Sequence, residues 1–211
     1  MSRAHLRQGI KRFIDAGCIV LVAPLGWLCA LEATRDVHRD TVFSFCAHVF
    51  ALMPGLPGVF LRRAFYRLTL DSCHGSFHVG FGAFFSHRQS TVEDGVYIGP
   101  YSIVGSSRLR RGCLIGSRAG IISGARLHEL DVDGRRMPTD PQQLRQLDIG
   151  EDVFIGEGCL ILADVGKSAT VAAGSVVATH VPSGVMVAGN PARFVRHVVQ
   201  TKVEEAVSAA V

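Results

Sequence analysis

Leu109-Arg-Arg-Gly-Cys-Leu-Ile115-Gly-Ser-Arg-Ala-Gly-Ile121 returns an aliphatic residue at every sixth position, with Cys113 and Ala119 four residues after the first two. The pattern extends both ways. Upstream, Val92, Ile98 and Val104 keep the spacing one residue out of phase. Downstream, Leu127 closes the run, Ile149, Ile155 and Ile161 resume it after a gap, and Val165, Val171 and Val177 carry it to Val181. Short side chains fill the intervening positions (Val96, Ser102, Ala125, Val153, Cys159, Ala169, Ser175), and glycine often follows the aliphatic residue: Gly99, Gly105, Gly116, Gly150, Gly156, Gly166. A period of six fits neither a helix nor a two-residue strand alternation. It fits a coil of three short flat faces, six residues to a face, whose aliphatic positions point inward and stack from coil to coil. Stacking is required because one coil buries too little surface by itself. Glycine is expected where a side chain would obstruct a corner. An ordinary all-β domain would space its turns irregularly instead.

The rest of the composition bounds the class. A chain of 211 residues is one compact domain, or one with an appendage. Hydrophobic content of 48% and mean hydropathy of +0.28 are high for a soluble protein. A net charge of +4, with basic residues spread along the chain, leaves no nucleic-acid footprint. Cys18, Cys29, Cys46, Cys73, Cys113 and Cys159 include no C-x-x-C pair, which suits buried thiols in a reducing compartment better than a disulfide framework or a zinc site.

With this repeat the chain resembles the hexapeptide-repeat acyltransferases, most closely the galactoside, maltose and polysaccharide O-acetyltransferase branch. The resemblance covers residues 70–196 and implies a mainly β fold, a left-handed parallel β-helix, with acetyl-CoA as cosubstrate. Ile149-Gly-Glu-Asp-Val-Phe-Ile-Gly matches that family's coil with Phe154 in place of its usual Trp, and Val187-Ala-Gly-Asn-Pro-Ala-Arg193 matches its closing turn.

Residues 1–69 form an apolar helical segment. Arg3, Arg7, Lys11 and Arg12 precede an apolar run from Phe13 to Leu31, close to a bilayer span in length although Pro24 and Gly26 interrupt it. A second apolar stretch, Val42 to Leu61, holds Met53-Pro-Gly-Leu-Pro-Gly58, whose prolines should end a helix near Met53 and leave it too short to cross. Arg62, Arg63 and Arg67 follow, so cations flank the apolar pair at both ends. The expectation is a helical hairpin, residues 13–61, dipping into or lying along the inner leaflet from the cytoplasmic side. Glu32, Asp36 and Asp40 are tolerable in a shallow hairpin and costly mid-bilayer. The other reading packs these helices on a trimer or on the first coil.

Within the early coils, His74, His78 and His87 invite a metal reading, but no acidic or Cys partner completes a site and separately satisfied histidines are the commoner outcome. No metal is expected. Between Leu127 and Ile149 the period stops, and about sixteen residues beyond one six-residue step must leave the β-helix as a loop, residues 128–148. His128 stands at its root. Acyl transfer from a thioester to an alcohol needs a neutral group to take the hydroxyl proton, and imidazole titrates near the working pH. The resemblance sharpens the assignment: Ser-Gly-Ala-Arg-Leu-His128 matches the position of the family's catalytic His, although its Gly-His-Pro triplet is absent. Glu129 and Asp131, or a backbone carbonyl, are the candidates to orient His128.

The same resemblance assigns Ser86 and His87 to acceptor binding, with His87 second choice as base. It places the pantetheine arm along Ala173, Gly174 and Ala178, and the phosphates at Arg193 and Arg196, whose guanidiniums suit forked contacts. Thr179-His180 stands where the family often has Thr-Lys, which weakens or removes one phosphate-side cation. It further implies a homotrimer with active sites between subunits, which would also cover outer faces bearing aliphatic side chains with Cys113 or Cys159 nearby. Residues 197–211 are a tail after a strand or short helix. The function expected is O-acetylation of a saccharide or lipid-linked saccharide in cell-surface or exopolysaccharide biosynthesis, at the cytoplasmic face of the inner membrane. Amino-sugar N-acylation, serine acetylation and a non-catalytic scaffold in a membrane assembly are the alternatives.

Overall fold

A computed structural model describes residues 3–36, 39–74, 76–123, 133, 135 and 145–198. Three helices come first: α1 (Arg3–Arg35), α2 (Thr41–Ala51) and α3 (Gly55–Thr69). Among the described residues, sixteen short strands follow and stack into three sheets. The first face stacks β1 (Ser72–Cys73), β4 (Thr91–Val92), β7 (Ser107–Leu109) and β10 (Leu147–Ile149), continued by bridges from Ile149 to Val165 and on to Val181. The second stacks β2 (His78–Val79), β5 (Tyr97–Ile98), β8 (Leu114–Ile115), β11 (Phe154–Ile155), β13 (Thr170–Val171) and β15 (Val185–Ala188). The third stacks β3 (Phe84–Phe85), β6 (Ile103–Val104), β9 (Gly120–Ile121), β12 (Leu160–Ile161) and β14 (Val176–Val177), one strand from each of five coils. All these pairings are parallel, so the chain is a three-sided parallel β-helix. Only β16 (Arg193–His197) folds back antiparallel, on β15.

The described aliphatic positions of the repeat from Val92 to Val181 all point into this prism and are buried, as are Cys113 and Cys159, which belong to the interior and not to an outer face. Glycine in the column after them answers to stacking. A Cβ on Gly116 would stand 2.6 Å from the backbone nitrogen of Glu157, and one on Gly156 2.4 Å from that of Ala173. The next coil occupies that space. Positive φ falls elsewhere in the turns, at Gly112, Gly158 and Gly174 and also at Tyr101, Arg118, Asp152 and Ser168.

The helical segment departs from the expected hairpin. α1 continues through Pro24, and Gly26 lets it approach α3, a Cβ there lying 3.2 Å from the Leu68 side chain. The Met53–Gly58 prolines do end α2, two residues before Met53. Arg62 and Arg63, expected as membrane-flanking cations, are buried and structural. Arg62 donates from Nη1 to the carbonyls of Phe50 (3.1 Å) and Met53 (2.7 Å), closing the end of α2, and from Nε to Val79 O at 2.9 Å. Arg63 pairs with Asp15 and lies over the Phe60 ring. Buried Tyr66 of α3 accepts a hydrogen bond from the Phe85 amide and packs edge-on against that ring. Thus α2 and α3 cap the first coil, which would otherwise end in an open apolar face. Outside, Phe13, Val20, Leu21 and Trp27 of α1 remain 65–82% exposed, and Phe13–Arg35 is long and apolar enough to cross a membrane.

Candidate active site

The three corners of the prism are not equivalent. From first face to second and from second to third, inward residues are always six apart: Val92 to Ile98 to Val104, Ile149 to Ile155 to Ile161, Val165 to Val171 to Val177. From third face back to first they are not. Phe85 to Val92 is seven residues, Val104 to Leu109 five, Ile121 to Ile149 twenty-eight, and Ile161 to Val165 and Val177 to Val181 four each. All the length variation of the β-helix sits at this one corner. A corner that stacks on its neighbours through glycine contacts admits no extra residues, so a corner that does admit them is where the fold can carry side chains for another purpose.

That corner holds the predicted acceptor residues, the root of the long excursion and part of the predicted cofactor set. Ser86 and His87 are on the first coil. Gln89 O there accepts hydrogen bonds from Ser106 Oγ at 2.6 Å and Gln146 Nε2 at 3.3 Å, tying the first coil to the second and to the returning end of the excursion. On the departing side, Ser123 Oγ accepts the Ser106 amide at 2.5 Å. Ala178, Thr179 and His180 are on the fifth coil. At a strand spacing of about 4.7–4.9 Å, His87 and Ala178 lie roughly 19 Å apart along the corner, with the excursion rooted midway. His128, the predicted base, lies outside the described residues, as do Glu129 and Asp131.

The predicted cofactor residues divide. Ala178 and Arg193 line one groove of about 230 Å³ with Thr179, His180, Ala192 and Phe194, where β16 folds back beside the last corner. Ala173 and Gly174 are exposed on a different corner, between second and third faces, and Arg196 is exposed on β16 without lining the groove. His180 also borders a shallow hollow of about 400 Å³ on the first face, with Arg110, Asp148, Asp164 and Lys167. Its charges are mutually engaged: Arg110 donates two hydrogen bonds to Asp148, at 2.9 and 3.0 Å, and holds that carboxyl below the usual range.

The early histidines are satisfied separately. His74 meets Ser72 Oγ, His78 stacks on Tyr97 at 4.8 Å, and His87 Nδ1 lies 3.2 Å from Asp40 Oδ2. Sequence reasoning missed this last contact. Asp40 also accepts from Arg88 Nε at 2.6 Å, and Arg88 reaches Glu32 Oε2 at 3.1 Å and the carbonyls of Cys29 (3.1 Å) and Arg39. Burial pushes the Asp40 carboxyl up, but the hydrogen bonds from His87 and Arg88 outweigh it and hold the group below its ordinary value. Glu32 and Asp40, expected as tolerated charges of a shallow hairpin, hold the helices to the irregular corner through Arg88 and His87.

No family model matches the chain. In sequence it is similar to a 2,3,4,5-tetrahydropyridine-2,6-dicarboxylate N-acetyltransferase of Clostridium perfringens, 52% identical over 52 residues, 24% of this chain and 22% of that protein. In fold it is similar to a maltose O-acetyltransferase from Clostridium difficile 630, with a TM-score of 0.61, 16% identity, and coverage of 80% of this chain and 91% of that one. The chain shares its three-sided β-helix fold with that structure, and the curated proteins it matches over part of their length include acetyltransferases. The hexapeptide-repeat fold also matches a galactoside acetyltransferase in complex with coenzyme A, with a TM-score of 0.57, 18% identity, and coverage of 76% and 81%. The chain spans between about a fifth and two fifths of the length of the curated relatives it matches.

Proposed function

We propose that this hexapeptide-repeat protein is an acyl-CoA-dependent acyltransferase that acetylates a saccharide hydroxyl by direct transfer. The observation that carries the reading is the single irregular corner, with a long excursion rooted between the His87 end and the groove of Ala178 and Arg193. Coenzyme A would enter from that groove, its phosphates meeting Arg193. Ala173 and Gly174, exposed on another corner, and Arg196, exposed on β16 outside the groove, would contribute to the site at a neighbouring subunit. Such a neighbour fits the second face, where Tyr97, Leu114 and Phe154 leave 40–47% of their surface exposed, so we take the active assembly to be a homotrimer.

In the reaction the acceptor oxygen attacks the thioester carbonyl while His128 takes the hydroxyl proton. A backbone N–H stabilises the oxyanion. Collapse of the tetrahedral centre breaks the carbon–sulfur bond, and the imidazolium returns its proton to the departing thiolate. Amino-sugar N-acylation is the second reading, favoured by the N-acetyltransferase relative; the proton inventory is the same, with an amine as nucleophile. The exposed apolar surface of α1 suits attachment at the cytoplasmic face of a membrane, where a lipid-linked saccharide would be the acceptor.

Release of coenzyme-A thiol from acetyl-CoA in the presence of hydroxyl and amino sugars tests the reading. His128→Ala should lower kcat by about 10²–10⁴. A wild-type protein that releases no thiol with any sugar is a scaffold, and an unaffected His128→Ala variant removes that residue from the chemistry.

A further inference from the structure

Asp40 occupies the N-cap position of α2, where an aspartate ordinarily accepts the first free amides of the helix. It makes no such bond. The cap comes instead from α1: Glu32 accepts the amides of Val42 at 2.9 Å and Phe43 at 3.2 Å. Asp40 is thereby left to bind Arg88 with Oδ1 and His87 with Oδ2. Arg88, only 6% exposed, fixes it from behind through the carbonyls of Cys29 and Arg39. An ionised carboxylate can only accept, so His87 must carry its hydrogen on Nδ1, and in the neutral ring Nε2 is then a bare acceptor. The His87 side chain is 30% exposed on the irregular corner, and Nε2 bonds to no described residue.

We propose that Asp40 is a positioning residue that fixes His87 in the Nδ1–H form, so that Nε2 accepts a hydrogen bond from a hydroxyl or amine of the acyl acceptor. The proposal rests on the acyltransferase reading and deepens it. The site discriminates by requiring a donor on the acceptor, and the helical segment becomes part of the acceptor site as well as a cap. His87 here binds the acceptor while another group takes the proton, so its loss should be felt in binding far more than in turnover.

Two measurements on the full-length protein test this. Long-range ¹H–¹⁵N NMR of the histidine side chains in mildly alkaline buffer, with the His87 signals identified by their loss in His87→Gln, should show Nδ1 protonated and Nε2 bare. An Nε2–H tautomer overturns the proposal. With acetyl-CoA and p-nitrophenyl β-galactoside, His87→Gln should raise KM for the sugar roughly five- to tenfold, the worth of one hydrogen bond, with kcat and KM for acetyl-CoA nearly unchanged. Asp40→Asn, whose amide no longer dictates the tautomer, should shift the same KM in the same direction by less. An unchanged sugar KM in both variants overturns the proposal, as does a hundredfold loss of kcat in His87→Gln, which would make His87 the proton acceptor. If the wild-type protein transfers no acetyl group, the acyltransferase reading is what fails, and the tautomer measurement still decides the fate of the pair.

Discussion

The β-helix and the helical segment meet the same requirement, covering apolar surface, by opposite means. In the β-helix, two of the three corners repeat from coil to coil, so the described inward aliphatic positions from Val92 to Val181 are buried and glycine lets backbones touch. In the helical segment no two contacts are alike. It is held to the corner by one buried cluster of Arg88, Asp40 and Glu32, and it leaves a long apolar face on α1 uncovered. The contrast teaches that regularity carries the stability here, and that the residues proposed for recognition sit where regularity fails.

Arg88→Ala should break that contrast most sharply. Loss of Arg88 leaves Asp40 only its bond to His87 and Glu32 only the amides of Val42 and Phe43 among the partners described, and breaking such a buried charge cluster costs about 3–5 kcal/mol. In urea, helical circular dichroism should then be lost at lower denaturant than the β-helix signal; a single unshifted transition would mean that the cluster does not hold the two parts together. The glycine column offers a smaller effect. Gly156→Ala drives a Cβ into the backbone of Ala173 and should cost about 1–3 kcal/mol, whereas Gly158→Ala, at φ +65 with open space around it, should cost about 1 kcal/mol. Equal midpoints for the two variants would show that coil contact is not what selects glycine.

The smallest effect is in pH. The Asp40 carboxyl is held below its usual value, so its stabilisation is complete above the ordinary aspartate value of about 3.9 and fades as pH falls through the lower folded-state value. Acid should loosen the helices from the corner before it affects the coils. Asp40→Asn should flatten that dependence, and tryptophan fluorescence from Trp27 with coil circular dichroism would separate the two events.

Much of this was legible in the sequence. The period of six placed the described inward residues from Val92 to Val181, and the breaks after Ile121, Ile161 and Val177 were already printed in their spacing. Taken together with the slip between Val104 and Leu109, those breaks would have marked the irregular corner, but only that slip and the gap before Ile149 are read, as a phase change and a loop. Arg62 and Arg63 were misread because a cation beside an apolar run looks the same whether it faces headgroups or caps a helix. Ala173 and Gly174 separated from Ala178 because smallness and sequence proximity do not say which corner a residue occupies.

By itself the sequence determined the repeat, its inward columns and the corner where coils differ in length, since identical coils must bury identical positions and periodicity is visible along the chain. Only the tertiary structure decided the partners of Asp40. Arg88 lies forty-eight residues away and His87 forty-seven, the cap Asp40 forgoes is supplied by Glu32 of another helix, and one docking event brings them together without leaving any period to read.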